Sequence, residues 1–266
     1  MHATTTSYQQ NTISYAPDKE TGTMDSTLAL ARAEVRRLGR NKRYSIFSVG
    51  LPVVLYLVIA PTVKHVTAYG VAYAAYYMIA MASIGAFSGA LTGNAQRISQ
   101  ERKDGWVRQL RLTPLPANAY VIAKIIASMV ITVPSIAIVL LLGRFYGNVH
   151  MELWKWFAVG GTIWIGSLTF TALAVAIGYR FVPDSVQPIA MFVYFLMSIL
   201  GGLWFALSGF LAKIGQVLPT YQITRIGTDL ISSHSVPATA YITVFAWFAG
   251  FVVLAVLAVR GTRETV

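Results

Sequence analysis

The chain has 266 residues, of which 56% are hydrophobic and only 12% charged, with no cysteine and a formal net charge of +11. A soluble domain carries about 25% charged residues and could not hide this much apolar surface in a single core, so a soluble globular protein is excluded. The missing cysteines exclude a disulfide framework and thiolate metal sites.

Residues 1–24 are polar, and no basic segment there precedes an apolar one. Their composition predicts a disordered tail and argues against a signal peptide. From Asp25 to Leu38, residues Leu28, Ala31, Val35 and Leu38 recur at helical spacing, while Arg32, Arg36 and Arg40 share another face. Asp25 or Ser26 can cap such a helix. The two faces predict an amphipathic helix lying in the membrane interface, its arginines toward lipid headgroups. A plain basic juxtamembrane stop is the simpler alternative.

A helix crossing a bilayer needs about 20 mainly apolar residues. Six segments qualify: Ser45–Val63, Tyr69–Leu91, Tyr120–Leu142, Trp156–Gly178, Gln187–Leu207 and Ala240–Val259. Between the last two, residues 209–231 are too polar to span and too apolar for an open loop. Two short amphipathic helices broken at Pro219 fit there, as a re-entrant hairpin on the outer side. The predicted fold is therefore all-α and integral to the membrane, with a transmembrane domain over residues 25–260 and a short tail at 261–266.

Orientation follows from the cations. Of the 21 lysines and arginines, only Lys64, Arg144, Lys155, Lys213 and Arg225 fall on one side. The remainder lie beside both termini, in and around the segment between the second and third spans, and, for Arg180, between the fourth and fifth, which places these on the cytoplasmic side of a plasma membrane. The net charge is mostly this topology signal, and nucleic acid is not needed to explain it.

The segment from Ser99 to Pro116 sets four cations and two carboxylates around Gly105 and Trp106. Gly105 can interrupt a helix, Thr113-Pro114-Leu115-Pro116 ends one, and Asn118 can cap the next span. Two readings compete. One is a solvated basic loop. The other is a docking surface, favoured by Glu101, Asp104 and Trp106, because topology alone needs neither carboxylates nor an aromatic anchor.

The run Glu101-Arg102-Lys103-Asp104-Gly105-Trp106-Val107-Arg108-Gln109-Leu110-Arg111-Leu112-Thr113-Pro114-Leu115, with Lys124 in the next span, resembles the signature of the ABC-2 type transporter permeases. A second stretch, Gly201-Gly202-Leu203-Trp204-Phe205-Ala206-Leu207-Ser208 followed by Leu218-Pro219-Thr220-Tyr221, is similar to that family's block around the fifth span. The stretch from Phe210 lacks a proline expected near the start of the outer hairpin.

The resemblance implies the membrane subunit of a bacterial exporter, paired as a homodimer with two ATP-binding subunits that carry ATP and Mg. It implies that the charged segment is a coupling helix, with Glu101, Arg102, Lys103, Asp104, Gly105, Trp106 and Arg108 docking the ATPase. It also implies that the second and fifth spans of two copies frame the cargo route, which nominates Tyr73, Tyr77, Met81, Tyr194, Ser198, Trp204 and Phe205. Ordinary helix packing is the competing explanation for most of these seven. The loop 180–187 is either a smaller contact or a tight turn capped by Asp184.

The chain contains no G-x-x-x-x-G-K-[ST] phosphate loop, so ATP hydrolysis falls to another chain. His2, His65, His150 and His234 are scattered without metal-ligand spacing. No paired carboxylates lie at membrane depth, which disfavours an ion-coupled carrier. The expected cargo is hydrophobic or amphipathic: a drug, antibiotic, peptide or lipid. A sensor or scaffold that docks a cytoplasmic signalling protein is the alternative. A lipid-modifying enzyme is the weakest, for want of a nucleophile or metal set.

Overall fold

A computed structural model of the chain describes residues 22–39, 46–63, 66–112 and 119–261. The expected tails at 1–21 and 262–266, Arg40, and the break at 113–118 with its cap lie outside the described residues. Helix α1 (Gly22–Gly39) is followed by a π-turn (Ile46–Gly50) that leads into α2 (Leu51–Ile59). A small hairpin, β1 (Thr67–Ala68) and β2 (Val71–Ala72), precedes α3 (Tyr73–Ser88). A second π-turn (Gly89–Gly93) carries α3 into α4 (Asn94–Lys103), after which come α5 (Trp106–Arg111), α6 (Ala119–Phe145) and α7 (Leu153–Arg180). The chain ends with α8 (Pro183–Leu200), the short α9 (Gly209–Gly215), α10 (Pro219–Ser232) and α11 (Ala238–Gly261).

Among the described residues, five helical stretches are long and apolar enough to cross a membrane: the run from Tyr73 to Lys103, α6, α7, α8 and α11. Six were expected. The first is present as a shorter apolar helix, Ser48–Ile59. At about 1.5 Å per residue it covers about 18 Å, less than the ~30 Å hydrocarbon core.

Helix α3 occupies the centre. Every residue from Ala74 to Phe87 is buried, as expected of a helix that is apolar on all sides. Helices gain little hydrophobic free energy by leaving lipid for one another, so their association relies on close packing and internal hydrogen bonds. Ala74, Ala75, Ala80, Ala82, Ser83, Gly85 and Ala86 keep α3 thin, and α2, α6, α7 and α10 close around it. A polar ladder crosses the interior: Asn94 Nδ2 donates to Ser128 Oγ at 3.0 Å, and Ser128 and Thr171 share a hydrogen bond at 2.8 Å. This ties α4 to α6 and α7.

Several boundaries depart from the sequence reading, among them the fifth span, which runs from Pro183 to Leu200 and not from Gln187 to Leu207. The second span starts at Tyr73 and not Tyr69, because Tyr69 and Gly70 both take positive φ (51° and 79°) and turn the hairpin. Its helix runs on to Lys103, past the expected end at Leu91, through the π-turn. There Thr92 Oγ1 donates to Ser88 O at 2.7 Å, the kind of hydroxyl back-bonding that loosens a helical ladder. Helix α1 begins at Gly22, ahead of the expected caps at Asp25 and Ser26.

On α3, Gly85 is where a neighbour comes too near for a side chain. A Cβ there would lie 2.0 Å from Ser135 Oγ and 2.7 Å from the backbone oxygen of Ser48, the two atoms that α6 and the leading turn of α2 join by a 3.1 Å hydrogen bond. Gly85→Val should therefore destabilise the bundle by about 1–3 kcal/mol. Gly250→Ala, where a Cβ meets nothing within 4 Å, should cost nothing. Thermal unfolding in mild detergent checks the pair, and equal behaviour of the two variants would contradict this packing.

Candidate partner-docking and coupling site

The charged segment forms an elbow. Helix α4 ends at Lys103, Asp104 and Gly105 turn the chain, and α5 leaves in a new direction. Gly105 has φ +74° and open space around it. The left-handed backbone, and not crowding, requires a glycine there.

The two halves of the elbow face different ways. Asn94, Ala95, Ile98, Ser99 and Glu101 form the buried face of α4. Glu101 is only 3% exposed. Its Oε1 lies 2.8 Å from Lys124 Nζ and 3.0 Å from Arg37 Nη1, and its Oε2 accepts from the Tyr120 hydroxyl at 2.6 Å. Lys124, itself 1% exposed, lies 2.9 Å from Glu34 Oε2 on α1. That contact is an ion pair without hydrogen-bond geometry, and the Glu34 oxygen has no other donor. Two buried carboxylates and one buried ammonium thus join α1, α4 and α6, and Arg37 completes neutrality from the rim, its side chain 61% exposed.

Arg102 is also turned toward the protein. Its guanidinium donates to Gly178 O at 2.9 Å and to Tyr179 O, and stacks over the Tyr179 ring at 5.2 Å. Ser99 Oγ donates to Phe181 O at 2.8 Å. Gly178 lets α4 come this near: a Cβ would meet Ile98 at 2.8 Å and Ala95 O at 2.9 Å. The segment expected as a loop at 180–187 is a two-residue connection, Phe181 and Val182, between α7 and α8; Phe181 is held against α4, and Val182, not Asp184, is the N-cap of α8.

The outward half consists of Lys103, Asp104, Trp106 and Arg108, all exposed, with Trp106 at 40%. Gln100 Nε2 donates to Asp104 Oδ1 at 2.9 Å and steadies the turn. Val107 packs inward on Ile98, Tyr120, Val175, Ala176, Tyr179 and Ala255. Of the seven residues the sequence nominated here, Glu101 and Arg102 bind the protein itself, Gly105 sets the bend, and four face outward. Lys124, Glu34 and Arg37 were not nominated. On α1, Arg32 and Arg36 are exposed, Leu28 is 54% exposed as well, and the helix packs through Ala31 and Glu34.

The residues nominated for a cargo route are mostly interior. Tyr77, Met81 and Ser198 are at most 1% exposed and Tyr194 6%. Helix α3 is the central helix of the single chain, so its side chains meet neighbours in that chain. Tyr73 and Trp204 are half-buried and Phe205 is exposed. Trp204 Nε1 donates to Ser198 Oγ at 2.9 Å, and the outward face of α8 consists of Met191, Phe192, Leu196 and Ile199.

At the other end of α3 lies a polar cavity of about 280 Å³ lined by Tyr69, Tyr76, Tyr221, Arg225 and Asp229 among others. The Tyr69 hydroxyl donates to Leu207 O at 3.0 Å and accepts from Leu207 N at 2.8 Å. Burial pushes its pKa up, so it stays a neutral donor. Lys155 Nζ closes α10 by binding Ile231 O at 3.2 Å and Ser233 Oγ at 2.6 Å.

The buried cluster gives an ordered prediction. Lys124→Met leaves two carboxylates without a buried counter-charge, which costs about 3–5 kcal/mol. Arg37→Met removes an exposed partner, worth about 1 kcal/mol or less. Thermal unfolding in detergent should rank them in that order, and equal losses would contradict the geometry.

The family described as "ABC-2 family transporter protein" matches residues 58–260. The "Putative transport permease YvfS" of Bacillus subtilis (strain 168) is 29% identical over 206 residues, which is 76% of this chain and 84% of that protein. With its several apolar helices the chain is a multi-pass membrane protein. It belongs to the ABC-2 family of transporter permeases.

Proposed function

We propose that the chain is the membrane half of an ATP-driven exporter, and that its elbow docks a separate ATP-binding subunit. The observation that carries this reading is the division of the elbow. Lys103, Asp104, Trp106 and Arg108 stand outward with both signs of charge and an aromatic anchor, while Glu101 and Arg102 clamp the same segment to α1, α6 and α7. A surface of that kind suits a protein partner, and the clamps turn it into a handle on the bundle. Family membership supports the pairing with an ATPase.

In this mechanism the partner binds ATP and Mg, closes, and displaces the elbow. Because α4 continues α3 through the π-turn, the displacement reaches the central helix. The Glu34–Lys124–Glu101 contacts make α1 and α6 follow, so the charged ends of three helices move as one body. Two copies of the chain pair, with two ATPase subunits, and place the outward face of α8, together with Trp204 and Phe205, toward the shared axis. The five long apolar helices cross the plasma membrane, and the short first one, Ser48–Ile59, completes a sixth crossing with local thinning of the bilayer, which leaves both termini and the elbow in the cytoplasm. The hairpin of α9 and α10 re-enters from the outside. A hydrophobic or amphipathic cargo passes between the copies and leaves near the tyrosine-lined cavity.

The test is recovery of the tagged full-length chain from membranes in mild detergent. A nucleotide-binding subunit should come with it in equal amount. Trp106→Ala should weaken the complex by about 2 kcal/mol, roughly 30-fold in affinity, and Asp104→Arg should weaken it too. Trp106→Ala should unfold at the wild-type temperature, since its side chain is exposed, and Asp104→Arg within about 1 kcal/mol of wild type, the worth of the exposed Gln100 bond it loses. Recovery of a signalling protein and no ATPase would overturn the proposal in favour of a scaffold.

A further inference from the structure

Helices α6 and α7 part toward the end opposite the elbow and leave a groove of about 620 Å³. Its α6 wall runs from Val133 to Arg144 and its α7 wall from Leu153 to Trp164. At about 1.5 Å per residue each wall rises about 16 Å, half of the ~30 Å hydrocarbon core. The groove is thus one leaflet deep. Its lining is apolar except at the rim, and Leu141 and Phe157 stand 55% and 74% exposed on its two sides.

Two adjacent glycines shape it. A Cβ on Gly160 would touch Leu140 at 3.3 Å, so Gly160 seats α7 on α6. A Cβ on Gly161 would meet nothing within 4 Å, so Gly161 leaves the floor open. Neither tryptophan in the groove presents a polar atom to an occupant: Trp164 Nε1 donates to Met129 O at 2.8 Å and Trp156 Nε1 to Met151 O at 3.3 Å. The polar exception is Arg144. It is exposed, and among the described residues no carboxylate pairs with it. Glu152, which immediately precedes α7, accepts from Trp154 Nε1.

An apolar trough one leaflet long with a guanidinium at its mouth complements an acyl chain that ends in a phosphate. We propose that the groove holds a membrane phospholipid, one acyl chain lying along Gly161 and the headgroup phosphate on Arg144, with an anionic headgroup preferred. This rests on membrane embedding alone and stands whether or not the export reading does. Arg144 also lies in the last turn of α6, where a cation offsets the helix dipole. That role requires no groove, so the test probes the floor and the rim separately.

The full chain, purified in mild detergent, is titrated with phosphatidylglycerol or phosphatidylcholine and followed by native mass spectrometry. The wild type should retain one phosphatidylglycerol more strongly than phosphatidylcholine. Arg144→Gln should reduce that preference by about tenfold, the worth of a charged hydrogen bond. Gly161→Leu should abolish retention of both lipids, with an unfolding temperature at or above wild type, because leucine replaces a mid-helix glycine and enters open space. Leu141→Trp fills the groove from the other wall and serves if Gly161→Leu folds poorly. Unchanged lipid retention in Arg144→Gln and in a folded groove-filling variant would overturn the proposal. So would conversion of a two-chain species to a single chain by Gly161→Leu, since the groove would then be a seam between copies.

Discussion

Two carboxylates and an ammonium, each at most 5% exposed, meet where α1, α4 and α6 join. A lone buried charge costs several kcal/mol, and a buried pair recovers that cost only with close geometry. Here Lys124 lies within 3 Å of both Glu34 and Glu101, and the Tyr120 hydroxyl serves the second Glu101 oxygen. None of the three helices can shift alone without exposing one of these groups unpaired. The cluster therefore fixes how the elbow sits on the bundle, and the outward set of Lys103, Asp104, Trp106 and Arg108 inherits its position from it.

The remainder of the bundle is held by other means. The centre is a thin helix whose alanines and glycine admit close neighbours, and buried hydroxyl and amide bonds join the helices around it. Such contacts are worth about 0.6 kcal/mol each inside a membrane. They are numerous and individually weak, so the interior can repack while the charged joint stays closed. That division, a firm joint at one end and softer packing along the spans, suits the proposed transmission of a push from the elbow.

Much of this was legible in the sequence. Helices α6, α7 and α11 follow their apolar runs closely because length and hydropathy alone specify a spanning helix. The elbow was legible from Gly105 between two charged stretches. What composition could not give was the direction in which a charged residue points. Glu101 was read by its charge, yet it lies three residues after Ile98 on one helical stripe, and both are buried. Glu34 likewise lies three after Ala31, and Lys124 four after Tyr120. Reading register before charge would have turned all three inward. The burial of α3 within its own chain was legible too, since a helix apolar on every side fits the middle of a bundle. The hairpin at Tyr69 was hidden because its residues are as apolar as the span they precede.

The chain has no cysteine, which makes one measurement especially direct. A single cysteine placed at Asp104, carrying a photo-crosslinker, should capture a nucleotide-binding subunit in intact cells, and a cysteine at the exposed Gln216 near the opposite end should not. Capture from both positions, or from neither while the chain folds normally, would contradict the assignment of the elbow as the point where ATP-driven motion enters the membrane.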